Sequence, residues 1–185
     1  MRAVPPPPGL KRVLIDADEL AARVRELGRQ LSQDYADREP ILIGVLTGAA
    51  VFLADLMRAM DVLVRCDFIG VSSYGTASRT SGIVKITADL SVSIEDREVV
   101  LVEDIIDTGR TIAYLRRNLE TRHPKSLRVC TLLDKVERRE VSVDLDYVGF
   151  TIPNEFVVGY GLDHAGLYRN LPYLAALDLT GARSA

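Results

Sequence analysis

Three carboxylates, Glu103, Asp104 and Asp107, crowd into five residues directly after the apolar run Val99-Val100-Leu101-Val102, and Thr108-Gly109-Arg110-Thr111 follows at once. An apolar β-branched run that breaks into acid reads as a buried strand whose carboxyl end delivers a ligand site. A Gly-containing turn that opens a helix offers free amides to an anion. Carboxylates repel phosphates, whereas such amides attract them. The two together suit a ligand carrying hydroxyls and a phosphate on one molecule, such as a ribose 5-phosphate. The acidic pair would serve the sugar or a cation, and the turn would serve the phosphate. For the acids taken alone, the plainer alternative is a solvated turn capping a helix.

Such a site needs a rigid frame, and the surrounding pattern predicts one. Asp16 with Glu19 three residues on resembles a capping box, and Leu20, Val24, Leu27 and Leu31 follow at helical spacing, so a helix runs to about Tyr35. Ile41 to Leu46 is a continuous apolar run that suits a strand buried on both faces. Thr47-Gly48 makes a turn, and Ala49 to Met60 forms the next helix. A strand from Val62 to Val71 leads into a flexible loop, Ser72 to Gly82, rich in Gly, Ser and Thr, with a paired strand resuming from Ile83 to Leu90. The Val99–Val102 strand is followed by a helix from Arg110 to Glu120 and a strand from Ser126 to Leu133. Shorter strands fall near Asp146–Phe150, Phe156–Gly159 and Leu174–Leu177. Alternating strands and helices give an α/β fold, a mostly parallel sheet flanked by helices. The loops beginning near Thr47, Ser72, Glu103 and Asp134 all follow strands, where ligands bind such sheets.

Bulk properties narrow the function. The 185 residues fit one domain, with residues 1–9, which contain Pro5 to Pro8, as an extended, mobile arm. Hydrophobic content is 48% and charged content 26%, the balance of an ordinary globular chain. A net charge of −3 argues against a broad nucleic-acid-binding face, so any grip on an anion is local. Cys66 and Cys130 lie in apolar strand-like runs, read as buried free thiols, and their spacing fits no zinc motif. No apolar run reaches membrane-spanning length, and the first residues lack an apolar signal core, so no membrane partner is expected and the cytoplasm is the default.

The string from Glu103 to Thr111 resembles the phosphoribosyl-pyrophosphate loop of purine phosphoribosyltransferases, in their hypoxanthine-guanine branch. The likeness extends from about Leu14 to Asp178, in the family's order and near its spacing. It implies the type I phosphoribosyltransferase fold with a small hood from the terminal segments. It also implies purine salvage: hypoxanthine, and guanine with it, joined to phosphoribosyl pyrophosphate to give the nucleoside monophosphate and pyrophosphate.

By that resemblance Asp107, Thr108, Gly109, Arg110 and Thr111 cradle the 5-phosphate, and Glu103 and Asp104 meet the ribose hydroxyls, directly or through magnesium (Mg2+). Asp107 becomes the general base that takes a proton from the purine's imidazole ring, and burial would raise its affinity for that proton. Leu46-Thr47-Gly48-Ala49 resembles the pyrophosphate turn, with Thr47 where Lys is the commonest residue, a departure that removes a positive charge. Ser73 and Tyr74 match the dyad of the mobile lid, which shields an oxocarbenium-like centre from water. Lys135 donates to the six-position oxygen of the base, Phe156 stacks on the purine and Val157 offers main-chain groups to its pyrimidine edge. Asp163 serves as a further magnesium contact beside the purine, and Arg169 binds pyrophosphate. His123 and His164 have no partner legible in sequence. The family implies a homodimer or homotetramer. Two other readings stay open: a nucleotide-sensing regulator that binds nucleic acid on the same scaffold, and a phosphoribosyltransferase preferring xanthine or another base.

Overall fold

Asp16 opens the first helix as its type requires: the side chain accepts a hydrogen bond from the Glu19 amide at 2.9 Å. The computed structural model of the chain describes residues 7, 9–74 and 83–179. In it β1 (Leu10–Ile15) precedes α1 (Ala17–Asp34), followed by β2 (Ile41–Leu46), α2 (Ala49–Arg58), β3 (Arg65–Tyr74), β4 (Ile83–Ala88) and β5 (Glu98–Ile106). Then come α3 (Arg110–Glu120), β6 (Ser126–Asp134), β7 (Tyr147–Thr151), β8 (Val157–Val158) and β9 (Leu174–Leu177).

The six-stranded sheet has the order β4-β3-β2-β5-β6-β7, with β3, β2, β5, β6 and β7 mutually parallel and β4 antiparallel at one edge. Period-two alternation in β5 shows why its run is apolar throughout. Val100 and Val102 pack with Leu27 and Leu31 of α1 and Phe52 and Leu56 of α2, whereas Val99 and Leu101 pack with Ile112, Leu115 and Leu119 of α3. Each such fully buried side chain contributes roughly 1.5–3 kcal/mol. The central strands are therefore fixed from both sides, and their carboxyl ends are rigid mounts.

A second sheet of order β1-β9-β8, antiparallel throughout, draws on both ends of the chain and forms the hood. Tyr160 ties it to α2, its hydroxyl donating to Asp55 Oδ2 at 2.6 Å. No helix among the described residues is long and apolar enough to cross a membrane.

Several expectations need correction. The strand expected over Val62–Val71 is shifted: Val62 to Val64 lie outside it, and Ser72 to Tyr74 belong to it because they pair with Lys85, Val84 and Ile83. Ladder partners outweigh the low β propensity of serine here. Glu103 and Asp104 were expected in a loop but lie within β5, which continues to Ile106 alongside β6. The second helix stops at Arg58 rather than Met60. Cys66 is exposed rather than buried, while Cys130 is buried as expected. Strand β1 was not anticipated at all. Residues 1–6, 8 and 75–82, most of the proline-rich arm and the body of the expected lid, lie outside the described residues.

Candidate active site

Strand β2 ends in a cis peptide between Leu46 and Thr47, and Gly48 then turns the chain into α2. Gly48 stands directly against Asp104 on neighbouring β5: a Cβ placed on it would meet Asp104 Oδ2 at 1.6 Å. Only a hydrogen fits there. Glu103 is buried, and its Oε2 has no hydrogen-bond partner among the described residues. Burial, reinforced by the Asp104 charge, holds the Glu103 carboxyl well above the usual range. Asp104 is pushed up to about 6 by burial, against the pull of the Ile105 amide and the Arg169 charge. An orphaned buried carboxylate oxygen beside a second carboxylate is a site awaiting ligand hydroxyls or a cation. Two hard oxygen donors fit magnesium, which ordinarily takes one or two carboxylates and completes its shell with substrate oxygens and water. Among the described residues no three His, Cys, Asp or Glu side chains gather into a metal-holding group. Asp163, expected as a further contact, pairs with Arg169 at 2.6 Å, and its other oxygen accepts from the Gly166 amide at 2.8 Å.

The turn after β5 reverses at Gly109, whose φ of 83° is left-handed, and α3 begins at Arg110 without a side-chain cap. The Arg110 amide reaches Thr108 Oγ1 at 3.4 Å, and the next amides of the first turn, without partners inside the helix, can face an anion. A small cavity of about 90 Å³ lies at this turn, lined by Thr108, Gly109 and Thr111 among others. Arg110 does not face it; its guanidinium pairs with Glu140 at 2.6 Å. The Asp107 side chain is 40% exposed, with Oδ1 accepting from Arg138 Nε at 3.0 Å. A half-buried turn with an arginine partner surrounds this carboxylate.

Lys135 follows β6 and is buried, and that burial pushes its ammonium below the usual range while the Asp107 charge works in the opposite direction. Phe156 is 40% exposed, and the His164 ring meets it edge to face, 5.4 Å between centroids. Val157 is buried in β8. Arg169 also donates to the Gly161 carbonyl at 2.6 Å. One open cavity of about 380 Å³ joins Thr47 and Gly48, the Glu103–Asp104 pair, Asp107 and Thr111, Lys135, Phe156 and Val157, and Asp163 and Arg169. Thr108 and Gly109 line the smaller neighbour, and Ser73 and Tyr74 end β3, paired with Val84 and Ile83. Two residues escaped the sequence reading. Arg138 sits in an Arg138-Arg139 doublet that looks like surface charge, and His164 had no visible partner because Phe156 is eight residues away.

The arrangement offers an acidic pair, a buried ammonium and a partly exposed aromatic ring around one volume, with the turn before α3 lining the smaller cavity beside it. Residues 14–165 match the model of the phosphoribosyl transferase domain. A hypoxanthine-guanine phosphoribosyltransferase of Mycobacterium avium is 48% identical over 178 residues, covering 93% of this chain and 88% of that protein. The bifunctional protein TilS/HprT of Listeria innocua is 51% identical over 168 residues, 91% of this chain, and the chain spans only 26% of that protein's length. The hypoxanthine phosphoribosyltransferase of Trypanosoma cruzi, solved in complex with the product IMP, superposes with a TM-score of 0.85 at 40% identity, covering 93% of this chain and 96% of that one. Fold and sequence thus agree, and the chain belongs to the phosphoribosyl transferase family, on the branch that holds these hypoxanthine-guanine enzymes.

Proposed function

We propose that the protein transfers the 5-phosphoribosyl group of phosphoribosyl pyrophosphate to hypoxanthine, and to guanine, releasing IMP or GMP and pyrophosphate. The observation that carries this reading is that buried Glu103 and its neighbour Asp104, the turn residues Asp107 and Thr111, and Lys135 and Phe156 all line one cavity. The ribose hydroxyls meet the acidic pair, the 5-phosphate takes the open amides at the start of α3, and the base lies on Phe156. Glu103 and Asp104 would hold a magnesium ion, which would supply charge neutralisation for the polyphosphate. Arg169 stabilises negative charge as pyrophosphate departs, and Asp107 accepts the imidazole proton as the new glycosidic bond forms. The protein's share is mostly positioning and electrostatics.

Lys135 explains the choice of base. Its ammonium only donates, so it rewards a carbonyl at the six position and opposes the amino group of adenine. Steady-state kinetics on hypoxanthine, guanine, xanthine and adenine test this: the first two are expected as substrates and adenine is not. Turnover of none of the four would overturn the function. In Lys135→Ala the KM for hypoxanthine is expected to rise roughly 10–100-fold, the worth of a charged hydrogen bond, with discrimination against adenine weakened. Unchanged discrimination would remove Lys135 from base recognition.

The metal has its own check. Excess chelator is expected to slow turnover by roughly 10²-fold or more, because several kcal/mol of charge stabilisation are lost. Full activity in chelator would show that the acidic pair works on the sugar alone.

A further inference from the structure

Asp107 and Lys135 follow the ends of two adjacent parallel strands, and the segment after Lys135 is laced to the turn after Asp107. The Lys135 amide donates to the Ile106 carbonyl at 3.0 Å. Further along, the amides of Glu140 and Val141 both donate to the Thr108 carbonyl at 3.0 Å, and Glu140 pairs with Arg110. A Cβ on Gly109 would stand 2.5 Å from the Val141 carbonyl oxygen, so turn and segment leave no slack between them. The base of the segment is anchored too, by Arg139 on the buried Asp134. From this bracket Arg138 reaches back and donates through Nε to Asp107 Oδ1 at 3.0 Å. No described residue donates to Oδ2.

We infer that Arg138 is a positioning residue for Asp107, holding the carboxylate by one oxygen so that the other is set to receive the purine's imidazole proton. The inference rests on the phosphoribosyl-transfer reading above. An aspartate whose side chain is 40% exposed has two side-chain torsions to fix, and a general base must come within hydrogen-bond reach of its proton. Misplacement by about 1 Å costs roughly 10²-fold. Arg138 removes that freedom, and its own backbone is fixed by the bracket rather than by the substrate. The same bracket carries Lys135, so the groups that would face the six-position oxygen and the imidazole ring of one purine are held in register by one short segment. An ion pair this exposed adds little to folding, so its replacement leaves the chain folded and the kinetics interpretable.

A double-mutant cycle on the full chain separates the roles, using wild type, Arg138→Ala, Asp107→Asn and the double variant. Arg138→Ala is expected to lower kcat about 10- to 100-fold while dissociation constants for phosphoribosyl pyrophosphate and IMP change by less than about 3-fold. In the Asp107→Asn background the same replacement is expected to change kcat by less than about 2-fold, since the base it positions is already gone. An equal loss in both backgrounds overturns the inference, because Arg138 then acts elsewhere. So does a raised KM for phosphoribosyl pyrophosphate at unchanged kcat, which would make Arg138 a phosphate ligand. If wild type transfers to no 6-oxopurine, the reading of function falls and takes this inference with it; additivity in an active enzyme removes the inference alone.

Discussion

Gly48→Ala is expected to lower kcat/KM by roughly 10²-fold or more while the chain still folds. Space, rather than backbone freedom, is the reason. Gly48 has φ −61° and ψ −43°, angles open to any residue. Its missing Cβ would fall 1.6 Å from Asp104 Oδ2 and 2.6 Å from Cγ, so one of the two must move. The turn cannot retreat, because the Gly48 carbonyl oxygen already lies where a Cβ on Gly161 would meet it at 2.2 Å, and Gly161 is itself held by its hydrogen bonds with Arg169. Asp104 must therefore swing aside, losing the Ile105 amide at 2.8 Å and unsettling buried Glu103 beside it. Overpacking of this kind costs about 1–3 kcal/mol, and each kcal/mol lowers Tm by about 2–4 °C in a chain of this length. Thermal unfolding and steady-state kinetics on the same preparation check both halves. A variant with wild-type kcat/KM would show that the Thr47-Gly48 turn does not stand against Asp104 in the working protein.

That contact illustrates what a sequence carries and what it does not. The helix from Arg110 to Glu120 and the strands Ile41–Leu46 and Leu174–Leu177 were legible to the residue, because local periodicity and the preceding turn chemistry decide them. Strand β1 was not legible: Leu10–Ile15 gains its ladder from β9, far along the chain, and nothing in the six residues announces that partner. Glu103 and Asp104 look like loop residues, yet parallel pairing of Glu103 with Thr131 and Ile106 with Asp134 carries β5 past them. The pairing does more than extend a strand. By keeping the acids on a rigid, buried ladder it desolvates them, which is what raises both pKa values. Resemblance to the family pointed to most residues that line the cavity, and they sit at strand ends and in the loops after them. It did not find side-chain partners across long sequence gaps. Asp107 with Arg138 is a product of how the loops after β5 and β6 meet, whereas Asp163 with Arg169 pairs within the single connection between β8 and β9.

Asp107→Asn is expected to reduce kcat roughly 10²–10⁴-fold while leaving the affinity for phosphoribosyl pyrophosphate nearly unchanged. The substitution is nearly isosteric and keeps an oxygen that can accept from Arg138 Nε, so the turn that opens α3 has no cause to rearrange. Its phosphate-facing amides are main-chain groups and do not depend on the side-chain charge. What disappears is the capacity to take a proton, since an amide oxygen is a far weaker base than a carboxylate. The charge left on Arg138 is half in water, at 48% exposure, and is screened there rather than stranded. The measurement is a split: calorimetric affinity for phosphoribosyl pyrophosphate on one side, single-turnover formation of IMP on the other. Parallel loss of binding and turnover would make Asp107 part of the phosphate cradle rather than a base. Full turnover would remove it from the chemistry altogether, leaving proton transfer to solvent in a cavity that stands open on one side. Loss of kcat alone is the outcome that Arg138, the half-buried turn and the adjoining Lys135 together lead us to expect.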